Sequence, residues 1–165
     1  MVRVGLLGCG NVGGALVQLI ADRGHEIEAR TGVRLELAKV AVRSIARKRP
    51  VHIDEELLTH DAAEVVSDPG VDVVVEVIGG VEPARELILT ALAAGKPVVT
   101  ANKELLANHG AELFEAASAG GVDLLFEAAV AGGIPIVRPL RESLVGEEIR
   151  RVIGIVNGTT NFVLD

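Results

Sequence analysis

The chain has no tryptophan, no tyrosine and only three phenylalanines in 165 residues, so it offers almost no aromatic face on which a nucleic-acid base could stack. Its formal charge of −7 and pI near 5.1 would repel a phosphate backbone, and nucleic acid is a poor candidate partner. A single cysteine, Cys9, excludes an intramolecular disulfide and a cysteine-built zinc site. The four histidines, His25, His52, His60 and His109, are scattered rather than set at ligand spacing. No apolar run reaches the ~20 residues of a membrane span, because Arg, Asp, Glu or Gly interrupts each one. Met1 leads directly into an apolar run, with no charged leader and no small-residue cleavage site, from which a cytoplasmic location is expected. What is present is 49% hydrophobic residues, enough for one ordinary domain burying roughly 70% of the surface its unfolded chain exposes.

Those hydrophobic residues are patterned. Val2 to Leu7 predicts a strand, and a glycine turn follows it. Val12, Ala15, Leu16, Leu19 and Ile20 then fall on one face of a helix. Leu35 to Val42 predicts a second strand, while residues 24–34 are compatible with either a longer helix or a loop. The β-branched run from Val71, closed by Gly79 and Gly80, has the character of a strand covered on both faces. Ala84, Leu87, Ile88, Ala91 and Leu92 make another helical face ending at Gly95, where a C-terminal cap glycine belongs. Further expected elements are a strand over Pro97 to Thr100, a helix over Lys103 to Ser118 and a strand over Val122 to Phe126. A proline-containing helix near Ile134 to Leu144 and a strand over Ile149 to Val156 complete the series. Alternating strands and helices predict an α/β fold, a doubly wound and mostly parallel sheet with helices on both faces. The last nine residues have the character of a new element beginning, which suggests a piece of a longer chain.

The first turn reads Gly8-Cys9-Gly10-Asn11-Val12-Gly13, a G-x-G-x-x-G pattern between a strand and a helix. In a chain with 19 glycines the pattern alone is weak, and its position makes it specific. The first glycine allows the tight turn, the second admits a pyrophosphate against the backbone, and the third lets the helix pack close. The helix N-terminus then offers free N–H groups and a positive dipole end. Gly8, Gly10, Asn11, Val12 and Gly13 are therefore candidate cofactor-binding residues in a Rossmann-type domain. NAD sites usually place a carboxylate at the end of the second strand, and here that position holds Arg43. With Arg47 and Lys48 close behind, Arg43 suits the 2′-phosphate of NADP, leaving dual use and NAD alone as alternatives. Cys9 inside the turn is read as a packing residue rather than a nucleophile.

Two later segments are less generic: EVIGGVEPARELILTALAAGKPVVTANKELLANHG over residues 76–110, and FEAAVAGGIPIVRPLRESL over residues 126–144. With VIGIVNGTTNFVLD at the end, the chain resembles homoserine dehydrogenase over essentially its whole length. The resemblance implies an enzyme interconverting L-homoserine and L-aspartate 4-semialdehyde with a nicotinamide cofactor, on the route to threonine, methionine and isoleucine. It also implies that Lys103 lies beside nicotinamide and substrate as a binding and proton-relay residue. Elementary chemistry agrees, because reduction of an aldehyde leaves an alkoxide that a nearby ammonium stabilises. Gly79, Gly80, Thr100 and Lys103 join the candidate cofactor-binding set, and Lys103 is the candidate catalytic residue.

The resemblance further implies a sodium site at Glu127, Val130, Gly132 and Ile134, where carbonyl oxygens in a glycine-rich turn suit a hard cation. It places substrate contacts at Asn157, Gly158 and Thr159. A dinucleotide-binding domain over 1–132 is expected, then the start of a dimerisation and substrate domain over 133–165, in a protein that is a homodimer at full length and acts on a small molecule. The family's other proton-transfer lysine and most substrate-binding acids would lie beyond Asp165, so these residues alone are expected to bind cofactor without turnover. Alternatives are another amino-acid dehydrogenase, such as aspartate dehydrogenase, and a non-catalytic dinucleotide sensor.

Overall fold

A computed structural model of the chain describes residues 1–47, 49 and 51–154. In order these form β1 (Val2–Leu7), α1 (Asn11–Thr31), β2 (Leu35–Ala41), β3 (Leu58–Thr59), α2 (Ala62–Ser67), β4 (Val73–Glu76), α3 (Ala84–Ala93), β5 (Val98–Thr100), α4 (Lys103–Gly120) and β6 (Leu124–Leu125). The strands make one sheet in the order β3-β2-β1-β4-β5-β6, and every neighbouring pair is parallel. From β1 the chain steps outward through β2 and β3, then returns to the other side of β1 and steps outward through β5 and β6. The order reverses between β1 and β4, and in open parallel sheets a crevice forms at the carboxyl ends of the strands at such a point.

The two-residue alternation of the strands divides the core. Leu7, Ala41, Val74, Val98 and Leu124 pack with Val65 and Val66 of α2, with Ile88 and Leu92 of α3 and with Leu105 and Leu113 of α4. Leu6 and Val40, one residue earlier on their strands, pack on the opposite face with Val17 of α1. The expected α/β sheet with helices on both faces is thus present, with three helices on one side and α1 on the other.

At the sheet's amino end, Arg3 donates from Nη2 to Asp72 Oδ1 at 2.9 Å and from Nε to Oδ2 at 3.1 Å, tying β1 to the start of β4. The Arg3 hydrogen bonds bring the Asp72 carboxyl down to about 2.

Several elements differ from what periodicity predicts. Residues 24–34 mostly continue the helix, and Gly32, at φ 72°, closes it in the left-handed conformation. Residues 44–70, which periodicity leaves unassigned, contain β3 and α2. The latter carries a legible signal, since Asp61 caps it by accepting from Ala63 N–H and Glu64 follows three residues on. The strand expected from Val71 to the glycines is confined to β4, because Glu76 turns the backbone by taking the N–H groups of Ile78 and Gly79.

The helix expected over Ile134 to Leu144 is reduced to one wide turn, Pro139–Ser143, closed by Leu144 N–H donating to the Pro139 carbonyl at 3.0 Å. Pro139 lacks the N–H an α-helix would use and crowds the preceding turn. The strand expected over Ile149 to Val156 does not form across 149–154. No described strand lies beside it, and Val152 and Ile153 are 60% and 82% exposed.

Candidate functional site

At the carboxyl end of β1 the chain must reverse into α1 within three residues. Gly8 does so at φ 98°, a conformation that side chains rarely adopt. Its N–H donates to the Ala41 carbonyl at 3.0 Å, which ties the turn to the end of β2. The helix begins where Gly14 N–H donates to the Gly10 carbonyl at 2.8 Å. Asn11, Val12 and Gly13 precede that bond, so their N–H groups have no helical acceptor. Gly10 supplies no side-chain cap, and no acidic residue occupies the first turn. A Cβ at Gly13 would lie 2.2 Å from the Gly8 carbonyl oxygen, so only glycine lets helix and turn meet. A Cβ at Gly10 would meet nothing within 4 Å, so that backbone is open to an approaching group.

Beside this turn runs a groove of about 430 Å³, lined among others by Gly8, Gly10, Arg43, Arg47 and Arg49. Its remaining lining includes Val77, Ile78 and His60, and among the described residues no carboxylate lines it. In a chain of net charge −7 that local excess of cations selects for an anion.

Sequence reasoning did not single out Arg49. Its guanidinium donates to the carbonyls of Ile45 and Arg47, each at 3.0 Å, and to that of Ser44. It thereby fixes the loop carrying Arg43 and Arg47. Burial raises the Cys9 thiol and the adjacent Arg49 pulls it partly back, leaving a net upward shift unlike that of an activated nucleophile.

A second set of candidates lies at the carboxyl ends of β4 and β5. Glu76 is fully buried. Its Oε1 accepts from Ile78 N–H at 2.8 Å and Gly79 N–H at 3.2 Å, and its Oε2 accepts from the Thr100 hydroxyl at 2.5 Å. Thr100 Oγ1 accepts in turn from Asn102 N–H at 3.0 Å. Asn102 caps α4 by accepting from Leu105 N–H and donates from Nδ2 to the Gly80 carbonyl at 2.6 Å. Gly79 and Gly80, at φ 79° and 75°, are thus held against the loop that leads into Lys103. Lys103 stands exposed at the first position of α4. Thr100 is fully buried, its hydroxyl engaged within the network.

Gly8, Gly10 and Arg43 line one groove. Gly79, Gly80, Thr100 and Lys103 form the neighbouring cluster. Lys48, Asn157, Gly158 and Thr159 lie outside the described residues.

Glu127 accepts from Val137 N–H and Arg138 N–H, both at 2.9 Å. Desolvation opposes its ionisation, but these backbone donors outweigh it and hold the carboxyl below the usual range. Val130, Gly132 and Ile134 lie on the exposed turn between, in which Ala131 and Gly132 have φ near 60°.

Comparison with known proteins gives a consistent result. Residues 8–127 match the family model described as the NAD-binding domain of homoserine dehydrogenase, and residues 135–165 match the homoserine dehydrogenase model. Homoserine dehydrogenase of Corynebacterium glutamicum is 54% identical over 99% of this chain, and that of Bacillus subtilis 48% identical over 99%. The chain spans 37% and 38% of those two relatives. The crystal structure of a homoserine dehydrogenase from Thiobacillus denitrificans superposes with a TM-score of 0.87 at 48% identity, covering 99% of this chain and 38% of that one. A hyperthermophilic archaeal homoserine dehydrogenase in complex with NADPH superposes with a TM-score of 0.73 at 29% identity, over 88% of this chain and 49% of its own.

Proposed function

As a chain that belongs to the homoserine dehydrogenase family, we propose that it supplies the dinucleotide half of an enzyme interconverting L-homoserine and L-aspartate 4-semialdehyde, with NADP preferred over NAD. This is a step on the route to threonine, methionine and isoleucine. The observation that carries the proposal is the groove that Gly10, with open backbone just before an uncapped helix, lines together with three arginines and, among the described residues, no carboxylate. The pyrophosphate would take the N–H groups of Asn11, Val12 and Gly13. Arg43 and Arg47 would neutralise the 2′-phosphate, and Gly79 and Gly80 would admit the nicotinamide half beside Lys103.

When bound, the cofactor accepts or returns a hydride at the carbon bearing the substrate oxygen. Lys103 would then stabilise that oxygen and donate the proton as an ammonium in the reducing direction, and receive the proton as the neutral amine in the oxidising direction. Its place at the start of α4, beyond the end of β5, suits both. Asn157, Gly158 and Thr159 are proposed to contact the substrate.

The proposed domain boundary is at residue 132, and the absence of any buried residue beyond Leu124 among the described residues supports it. The remainder is assigned to the substrate and dimerisation part of a cytoplasmic homodimer. A sodium ion, where bound, would be held by the carbonyls of Val130, Gly132 and Ile134 and would stiffen the turn. The Glu127 carboxylate is already engaged with two backbone donors and suits holding the turn better than ligating the ion.

Calorimetric titration of the chain with NADPH and with NADH at one salt concentration tests the proposal. Tighter NADPH binding is expected. An NADH preference would remove the role of Arg43, and binding of neither would remove the dinucleotide site itself.

A further inference from the structure

We propose that Glu76 is a positioning residue for the nicotinamide half of the site, bracing the Gly79–Gly80 loop against the loop that carries Lys103. The proposal rests on the dinucleotide reading above and goes beyond it, because Glu76 is not itself among the residues lining the groove of the arginines and reaches it only through the backbone of Ile78. Its carboxylate bonds the ends of β4 and β5 at once, through Ile78 and Gly79 on one side and Thr100 on the other. Thr100 passes the connection to Asn102, and Asn102 closes it by reaching back to Gly80 and by capping the helix that Lys103 begins.

Every group in this circuit is a donor where the carboxylate needs one. A carboxylate is the side chain of that length with acceptors alone on both ends. A glutamine would have to turn its NH2 either toward two backbone donors or toward a hydroxyl oxygen that already accepts from Asn102. Burial of the site makes either mismatch costly. A fully buried acid at the end of a central strand is not needed for packing there, where an apolar residue would serve. Its place there is explained by the geometry it imposes on two loops.

The test compares the parent chain with E76Q, T100V and the double variant, using NADPH and 2′,5′-ADP, which lacks the nicotinamide half. We expect each single variant to bind NADPH about tenfold more weakly, while 2′,5′-ADP affinity stays within about twofold. The double variant should be no weaker than the poorer single, since both cut one connection. Retained 2′,5′-ADP binding shows that the fold is intact. Unchanged NADPH affinity in E76Q, or a parallel loss of both ligands, would overturn the proposal.

Amide hydrogen exchange in the unliganded chain separates this failure from failure of the dinucleotide reading. Gly79, Asn102 and Leu105 should exchange at least about tenfold faster in E76Q, with Gly14 unchanged. Unaltered exchange at those three amides would remove the brace. If the parent binds neither ligand, the dinucleotide reading falls instead, and the exchange result alone decides whether the brace exists.

Discussion

A methyl group at Gly13 would be driven to 2.2 Å from the Gly8 carbonyl oxygen, whereas one at Gly10 would project into open space. The two glycines of one motif therefore answer to different constraints, and G13A and G10A should separate them. G13A is expected to destabilise the chain by about 1–3 kcal/mol or more in urea unfolding, as overpacking does. G10A should cost less than about 1 kcal/mol, yet weaken NADPH binding at least about tenfold by standing where the pyrophosphate approaches. Comparable losses of stability in both variants would contradict this. For Arg43, R43A should lower NADPH affinity about tenfold and leave NADH affinity unchanged, the selectivity expected of a phosphate contact. That Gly8, Gly10 and Arg43 lie at one groove was legible, because their places at the ends of β1 and β2 follow from spacing along the chain. Arg49 and Glu76 were not, since a guanidinium folded onto three carbonyls and a carboxylate shared by two strand ends depend on pairings that spacing does not encode.

Between elements, the Arg3–Asp72 pair is the connection most open to titration. Asp72 ionises near 2 in the folded chain and near 3.9 when unfolded, so its contribution is complete above about pH 4 and is lost as the pH falls toward 2. D72N should therefore be less stable than the parent at neutral pH, with the difference shrinking across that window when urea midpoints are compared. Both side chains are about two-fifths exposed, so solvent screening keeps the difference small. A gap that persisted below pH 2.5 would assign it to packing instead. Helices α1, α3 and α4 were readable from the 3.6-residue spacing of their apolar faces, and β1, β2 and β5 from short, largely apolar runs. β3 is only two residues long, too short for any alternation. The proline-containing segment after Phe126 forms only one wide turn, and none of its apolar residues is buried, so packing adds little to offset the break at Pro139.

For the whole molecule, the buried core among the described residues stops at Leu124, and a chain ending at residue 132 should unfold cooperatively within a few degrees of the parent. A much larger fall in its melting temperature would move the domain boundary. The 165 residues, which cover 37% of a relative's length, are expected to yield no measurable homoserine-dependent NADPH, and steady turnover by the purified chain would show that Lys103 and its neighbours suffice. The α/β architecture was legible as a whole because strand and helix alternate, but the extent of cover on the second face was not, since that depends on which crossover goes where. The sheet order also governs how the molecule is made. β1 pairs with β4 across a separation of 69 residues, Val4 against Val73, and β2 and β3 fill only its other flank. At ribosomal rates of about 5–20 residues per second, the central strand emerges several seconds before its second neighbour. During that interval the edge that will accept β4 is unpaired, and a nascent chain stalled before residue 76 would offer it to any passing strand.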